Sequence, residues 1–495
     1  MHFSRRSSLQ RFPIPSLLAI ALFSCFAAPS EAQIEADKSA AIDKVFSEYT
    51  KPGSPGCAIA IARGGKLLYA KGYGLANLEE NLPITPDSVF DIGSTSKQFT
   101  AASILLLEKQ GKLSVSDDIR KYVPEIPDYG KKITILNLLN HTSGLRDYLT
   151  LFELAGINID NVTTDEEALA LISRQKALNF DPGTDWLYSN TGFFLLSVIV
   201  KRVSGQSLRD FADANIFRTL GMSHTLYRTS HTLLIPNRAL AYDPVPKSDG
   251  YTLDVSYFEQ TGDGAVHTTV GDMLKWDENF YSATIGGRPF LAELQQPGAL
   301  NSGKLLDYAK GLFIGDFRGL PTVRHGGSWG GYRAELLRFP QQHFSVVCLC
   351  NRSDADPEKR ADKIAELFLS SLMNNDAMKK DDSEEIHNHP EIALPAAELA
   401  QYSGEYASGE LGVTFQLRPS DGKLKFAAIL AGCGAPRSFD SQAKVFTYVG
   451  HGEFEFAGSE MRLRFEKIKS GLSQNFILDA GRTKGILFAR TDCGH

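Results

Sequence analysis

Apolar and polar positions along the chain change their period several times, and the changes divide it into parts. The segment ADKSAAIDKVFSEYTK reads as a helix, and the next, GCAIAIARGGKLLYAKGYG, carries two apolar runs around Gly64–Gly65, which predicts a hairpin. From Ser94 to about Leu306 the pattern is mainly helical, broken by Pro- and Gly-rich loops. Its clearest stretches are the helix from Ser94, ITILNLLNH, TGFFLLSVIVKRVSG from Thr191 and SLRDFADANIF from Ser207. Strand patterns return in TVRHGG, GGYRAELLRFP and FSVVCLCN, and a last helix, EKRADKIAELFLSSLM, closes the region. A hairpin at one end and strands at the other predict an α/β (α+β) fold. In it, one antiparallel sheet built from both chain ends is flanked by helices and carries a helical subdomain.

The charged, Pro-flanked run NNDAMKKDDSEEIHNHPEIALP then marks a linker, taken as residues 373–392. Beyond it YSGEYAS, GVTFQLRPSDGKLKFAAI, KVFTYVG, FEFAG, MRLRFEK and GILFART alternate or carry turn signals. Short strands of that kind over residues 393–495 predict a small antiparallel, lipocalin-like β-barrel. At the other end, residues 1–32 combine Arg5, Arg6 and Arg11 with an apolar stretch to Ala28 and small residues near Ala32. That is the pattern of a secretory signal peptide, too short and wrongly flanked for a stable membrane span. The expected product is an exported protein, periplasmic or secreted, by the Sec route or, given SRRSSLQ, the twin-arginine route. Residues 33–372 then form the main domain.

Composition changes this picture little. At 43% hydrophobic and 22% charged the chain is ordinary globular material, and its net charge of −6 with no basic block past the leader argues against a nucleic-acid partner. Cleavage would leave Cys57, Cys348, Cys350, Cys433 and Cys493, an odd number that cannot all pair within one chain. Cys433 and Cys493 both lie in the barrel region, where pairing and free thiols are equally open. No Cys-x-x-Cys or His-rich ligand spacing occurs, and the histidines of HNHP sit in the polar linker, so neither a metal nor a cofactor is expected.

The candidate chemistry begins at DIGSTSKQFT. Thr95 and Gln98 fit a capping box ahead of an apolar helix, while Ser94 and Lys97 form an S-x-x-K pair on one helix face. The pair alone decides nothing, since Ser173–Lys176 and Ser441–Lys444 match it too. Downstream come Tyr188-Ser189-Asn190 before an apolar helix and His325-Gly326-Gly327 before a strand. Singly, Tyr188 reads as a half-buried aromatic, Asn190 as a helix cap and the glycines as a turn.

In this order, however, S-x-x-K, Y-x-N and H-x-G resemble the serine β-lactamase and penicillin-binding-protein family. The segments LLNHTSGL and LGM are similar to it as well, and the resemblance covers about residues 38–372. It implies that Ser94 is the nucleophile of an acyl-enzyme, with Lys97, Tyr188 and Asn190 as the other catalytic residues. Lys97 either takes the serine proton or holds Tyr188 as a phenolate; the Tyr version resembles class C β-lactamases and many carboxypeptidases. Asn190 would hydrogen-bond Lys97 and the substrate amide. The backbone N–H groups of Ser94 and Ser328 would form the oxyanion hole. His325, Gly326, Gly327 and Trp329 would bind substrate, with Tyr332 flanking the same strand. The family fold also suggests that the first strand of the hairpin lies beside the strand bearing Cys348 and Cys350. Cys57 would then pair with one of them, or all three would be buried thiols.

His325 replaces the lysine usual in the third motif, so a permanent cation becomes a group charged only near or below its own pKa. Together with the two glycines this departs from an efficient β-lactamase and looks more like the His-containing D-amino-acid peptidases and esterases of the family. The expected activity is that of an exported serine hydrolase on small peptides or amides with D-amino acids, such as peptidoglycan fragments. The alternatives are a carboxylesterase or weak β-lactamase with the same residues, and a non-catalytic binding protein whose barrel does the recognising. The barrel could also cover the mouth of the site, join a dimer or bind cell-wall polymer.

Overall fold

A computed structural model describes residues 36–374, 389–431, 444–466 and 471–491. The leader, His387, Cys433 and Cys493 lie outside the described residues. The main sheet is built from β1 (Cys57–Arg63), β2 (Lys66–Tyr73), β3 (Tyr308–Ala309), β4 (Leu312–Phe317), β5 (Leu320–Trp329), β6 (Tyr332–Phe339) and β7 (Phe344–Cys350). Its order is β3-β4-β5-β6-β7-β1-β2, antiparallel throughout, so the two ends of the region meet at the β7–β1 pair. The register there sets Cys57 opposite Cys350. These two form a disulfide, and Cys348 stays a buried thiol with its Sγ 3.8 Å from that of Cys350. Of the two cysteine arrangements the sequence left open, pairing is the one found.

Both faces of the sheet are covered. The longer helices are α1 (Ala36–Val45), α2 (Lys97–Lys109), α3 (Asn190–Ser204), α4 (Val270–Ser282) and α5 (Pro357–Leu369). Ala58 and Ala60 of β1 face the core shared with α2, α3 and α4, while Ile59 and Ile61 face a second core with Ile42, Phe46 and α5 residues Ile364 and Leu369. Burial on both sides removes any need for polar alternation, which is why CAIAIA reads as one apolar run. Within α2 every residue from Lys97 to Leu107 is buried, and α3 is buried from Asn190 to Val200 and ends at left-handed Gly205.

The body between Ser94 and Leu306 differs from its mainly helical reading in one respect. It holds a small sheet of Phe90–Asp91, Val266–Thr268 and Leu226–Tyr227, and a hairpin of Ala241–Pro244 with Tyr251–Asp254. Strands of two to four residues are too short to show a period.

After the linker, eight strands close into a barrel: β8 (Gly404–Ser408), β9 (Val413–Ser420), β10 (Lys423–Ala431), β11 (Val445–Gly450), β12 (Glu453–Phe456), β13 (Met461–Phe465), β14 (Asn475–Ala480) and β15 (Thr483–Arg490). Tyr406 of β8 pairs with Arg490 of β15 to close it. The interior is packed with rings: Phe415 lies 4.3 Å from Phe488 between ring centroids, and Phe488 4.8 Å from Phe476. β14 is the strand the sequence pattern did not single out. Its alternation of Phe476, Leu478 and Ala480 inward is blurred by Ile477 between them.

Candidate active site

The serine turn is shaped by contacts from far along the chain. Gly93–Ser96 is a single 3-10 turn leading into α2, and Gly93 takes φ +47, where a side chain is strained. The capping box does not form. Thr95 donates through Oγ1 to the carbonyl of His325 at 3.1 Å, the Gln98 amide donates to the carbonyl of Thr95 at 2.9 Å, and Ser96 Oγ accepts from the N–H of Val266 at 3.1 Å. Ser94 is half-buried, whereas every other residue from Asp91 to Thr100 is buried. Its hydroxyl is therefore the reachable one.

Lys97 Nζ, buried, has three oxygen neighbours: Ser94 Oγ at 3.0 Å, Asn190 Oδ1 at 2.9 Å and the carbonyl of Asp263 at 2.6 Å. An amide oxygen and a carbonyl can only accept. Nζ therefore donates to both of them, and its remaining direction faces the Ser94 hydroxyl. Asn190 is not a cap; it is the first residue of α3, and Ser189 before it makes no capping bond through its side chain. The start of α3 is pinned instead by Asp147, whose Oδ2 accepts from the N–H of Asn190 at 2.6 Å, and by Thr191 Oγ1 donating to the carbonyl of Arg146 at 2.6 Å.

Asp263 is buried behind Lys97. Tyr148 donates to its Oδ2 at 3.0 Å, and Oδ1 has no partner among the described residues. Burial pushes this carboxyl up to about 6, with Lys97 pulling the other way.

Tyr188 joins the group through its ring, whose centroid lies 4.9 Å from Lys97 Nζ, while its buried hydroxyl has no partner among the described residues. His141 packs on the same ring at 4.2 Å between centroids. Its Nδ1 accepts from the N–H of Ser189 at 3.1 Å, which assigns the proton to Nε2, another atom left unpartnered. Burial first, then the charge on Lys97, hold His141 well below the ordinary histidine range.

His325 lies on β5, buried, with Nδ1 2.6 Å from the carbonyl of Gly326 and Nε2 3.4 Å from the hydroxyl of Tyr308. The carbonyl fixes the proton on Nδ1. Burial, reinforced by Lys97, pushes the imidazole down to about 3, so His325 is neutral through the physiological range. The neighbouring glycines have a packing role. A Cβ on Gly327 would stand 1.9 Å from the carbonyl oxygen of Ile92, and one on Gly326 3.1 Å from Glu335 Oε2. Gly327 therefore lets β5 pass against the serine turn, and a Cβ on Gly93 would in turn stand 2.7 Å from the backbone nitrogen of Ser328. Trp329, at the end of β5, donates to Ser256 Oγ at 3.0 Å and packs on Phe258; Tyr332 donates to the carbonyl of Ala239 at 2.6 Å.

The barrel also reaches this place. The β14–β15 turn, Gly481–Arg482, sets the guanidinium of Arg482 over the Tyr188 ring, 4.7 Å from its centroid. Three residues around the motif set were absent from the sequence reading of the site: His141, Asp263 and Arg482. His141 sits inside the family-like segment LLNHTSGL, so a signal was there; Asp263 acts through a backbone carbonyl, which no side-chain motif encodes. Arg482 gives no local signal at all.

This arrangement of fold and site defines a serine hydrolase of the β-lactamase and penicillin-binding-protein type. Residues 42–369 match the Beta-lactamase family, and the chain belongs to it. It is 32% identical over 330 residues to a penicillin-binding protein of Bacillus subtilis (strain 168), covering 63% of this chain and 71% of the relative. It is 30% identical over 305 residues to a D-aminopeptidase of Gluconobacter oxydans (strain 621H), covering 61% of this chain but only 57% of that one. Among solved structures, an octameric penicillin-binding protein homologue from Pyrococcus abyssi aligns with TM-score 0.60 at 24% identity, over 91% of this chain and 99% of that one. A D-amino acid amidase from Ochrobactrum anthropi SV3 aligns with TM-score 0.58 at 24% identity, over 68% of this chain and 100% of that one. These two likenesses speak to the fold.

Proposed function

We propose that the chain hydrolyses small peptides or amides of D-amino acids through an acyl-enzyme on Ser94, as an exported protein with the 33–372 region as its catalytic domain and the 393–495 barrel as a second one. The contact that carries this reading is Lys97 Nζ at 3.0 Å from Ser94 Oγ, with Nζ also donating to Asn190 Oδ1 and to the carbonyl of Asp263. The names of the D-aminopeptidase and amidase relatives support the substrate class.

The reaction has two halves. In the first, the Lys97–Tyr188 pair acts as the base and takes the Ser94 proton as Oγ attacks the substrate carbonyl carbon. The oxyanion is held by the N–H groups of Ser94 and Ser328. The proton passes by Tyr188 to the leaving nitrogen, the C–N bond breaks, and the amine departs. In the second half a water gives its proton back to the same base, its oxygen attacks the acyl carbon, and Ser94 regains a proton as the acid leaves.

The test is p-nitrophenyl acetate hydrolysis by the mature protein beside a folded Ser94→Ala variant, followed by a D-alanyl amide against the matched ester. A Ser94-dependent rate with the amide turned over is expected. Equal background rates in both proteins would sink the hydrolase reading; turnover of the ester alone would favour the carboxylesterase.

A further inference from the structure

Resting on the hydrolase reading above, we infer that Asp263 is a positioning residue of the reaction, whose carboxyl acts on Ser94 only through the Lys97–Tyr188 pair. Its negative charge holds the proton on that pair, so the pair becomes a base at a higher pH than it would beside a neutral side chain.

The first ground is placement. Of the three oxygens around Lys97 Nζ, the carbonyl of Asp263 is the nearest, at 2.6 Å. The segment that presents it is laced to the start of α2. Thr100 Oγ1 donates to the carbonyl of Gly262 at 2.7 Å, and the N–H of Val266 donates to Ser96 Oγ at 3.1 Å. On the other side, a Cβ on Gly262, at φ +106, would stand 2.4 Å from the carbonyl oxygen of Phe193, so the segment lies directly against α3. The carboxyl is thus carried a few bonds from a carbonyl that Lys97 already touches, and it is buried there rather than turned out to water.

The second ground is how little compensates the carboxyl. Oδ2 accepts from Tyr148 at 3.0 Å and Oδ1 has no partner among the described residues, where a carboxylate in water fills about four acceptor positions. The groups that face it from the surrounding elements are Lys97 on α2, Asp147 and Tyr148 at the start of the Tyr148–Leu154 helix, and Tyr227 of the small sheet. Both tyrosines hold their protons, because burial pushes them above the ordinary phenol range, and Asp147 adds a like charge. Burial pushes the Asp263 carboxyl up to about 6, and Lys97, the one cation of this set, pulls the other way. Above that range the anion is present, with Lys97 as its counter-charge.

The third ground is the sign of the effect, which does not depend on where the pair keeps its proton. Lys97 Nζ lies 4.9 Å from the centre of the Tyr188 ring, so amine and phenol share their protons. To serve as base the pair must release a proton to solvent, from either atom, and its net charge then falls from plus one to zero. A buried anion beside it opposes that loss in both cases. A neutral amide in the same place removes the opposition.

The experiment follows kcat/KM for p-nitrophenyl acetate from about pH 4.5 to 9 in the full chain and in Asp263→Asn and Tyr148→Phe, with Ser94→Ala as the blank. That parameter reports the ionisation of the free enzyme. In Asp263→Asn the rising limb should move to lower pH by about one unit, so that on the limb the rate, relative to its own plateau, is about tenfold above wild type. Tyr148→Phe takes away the donor to the carboxyl, so Asp263 keeps its proton to higher pH and the limb should move the same way by less. A limb unmoved in Asp263→Asn, or moved to higher pH, overturns the inference, and a rate lowered equally at every pH does so too by assigning the effect to packing. Should melting curves show that Asp263→Asn does not fold, Tyr148→Phe decides, and an unmoved limb there overturns the inference as well. If the wild type shows no hydrolysis beyond the Ser94→Ala blank, the hydrolase reading itself falls. A Ser94-dependent rate with unmoved limbs leaves that reading standing and removes Asp263 from it.

Discussion

Asp263 is the residue around which the electrostatics of the site turn. Its backbone carbonyl holds Lys97, and its carboxyl, with Oδ1 unpartnered among the described residues, is raised by burial from 3.8 to about 6. The folded protein therefore binds this proton more tightly than the unfolded chain does. The stability it contributes is complete below about pH 3.8 and is lost as pH rises through about 6. Asp263→Asn keeps an acceptor for Tyr148 and removes the titration. Urea midpoints at pH 4, 5, 6 and 7.5 should show the variant gaining on the wild type between pH 4 and 6 and holding its lead above, by on the order of 3 kcal/mol for a shift of this size. A constant difference between the two proteins across that range would assign the effect to packing. At the same scale, the Ser94–Lys97 contact was legible because a three-residue spacing at a helix start is a local fact, although only the later motifs singled this pair out from Ser173–Lys176 and Ser441–Lys444. Asp263 was not, because its contribution to Lys97 is a carbonyl.

Among elements, the approach of β5 to the serine turn decides the geometry of the proposed oxyanion hole. A Cβ on Gly327 would collide with the carbonyl oxygen of Ile92, at 1.9 Å, and backbone cannot step aside as a side chain can. At Gly326 the obstruction is the end of the Glu335 side chain, at 3.1 Å. Gly327→Ala should therefore push β5 off the turn, costing about 1–3 kcal/mol in overpacking and most of the p-nitrophenyl acetate rate. Gly326→Ala should cost less on both counts. Melting curves and the rate with that ester check the pair, and equal damage at the two positions would contradict this account. The glycines stood out in the sequence, yet what each faces became visible only when the strand was set against Ile92 and Glu335. The hairpin, β5 to β7 and most barrel strands were legible from alternation or apolar runs. The short strands around Phe90 and Val266 were not, since their pairing comes from neighbours brought in by the fold.

At the scale of the whole molecule, Arg146 couples the barrel to the β-lactamase-family region of residues 42–369. Replacing it with alanine leaves the Glu410 carboxylate buried without its cation and strips two carbonyls of their donor. Such one-sided loss costs about 3–5 kcal/mol. Calorimetry of Arg146→Ala should show a lowered or divided unfolding transition. The p-nitrophenyl acetate rate should fall with it, because the turn that sets Arg482 against the Tyr188 ring loses its anchor. A rate held at the wild-type value in a protein with a loosened barrel would mean that docking of the barrel does not act on the site. The ring-filled barrel interior fits this role of support better than one of holding a ligand inside.

By itself the sequence determined the order of the elements, the barrel at the end and the motif set Ser94, Lys97, Tyr188, Asn190 and His325. Periodicity and spacing are properties of short stretches, and short stretches are what a sequence displays. Tertiary structure alone decided the rest: the Cys57–Cys350 pairing among the candidates, the neutrality of His325, and the placing of Arg482 over Tyr188. Each depends on which groups are buried together, and residues 294 positions apart, as Tyr188 and Arg482 are (482 − 188), meet only when the chain has folded.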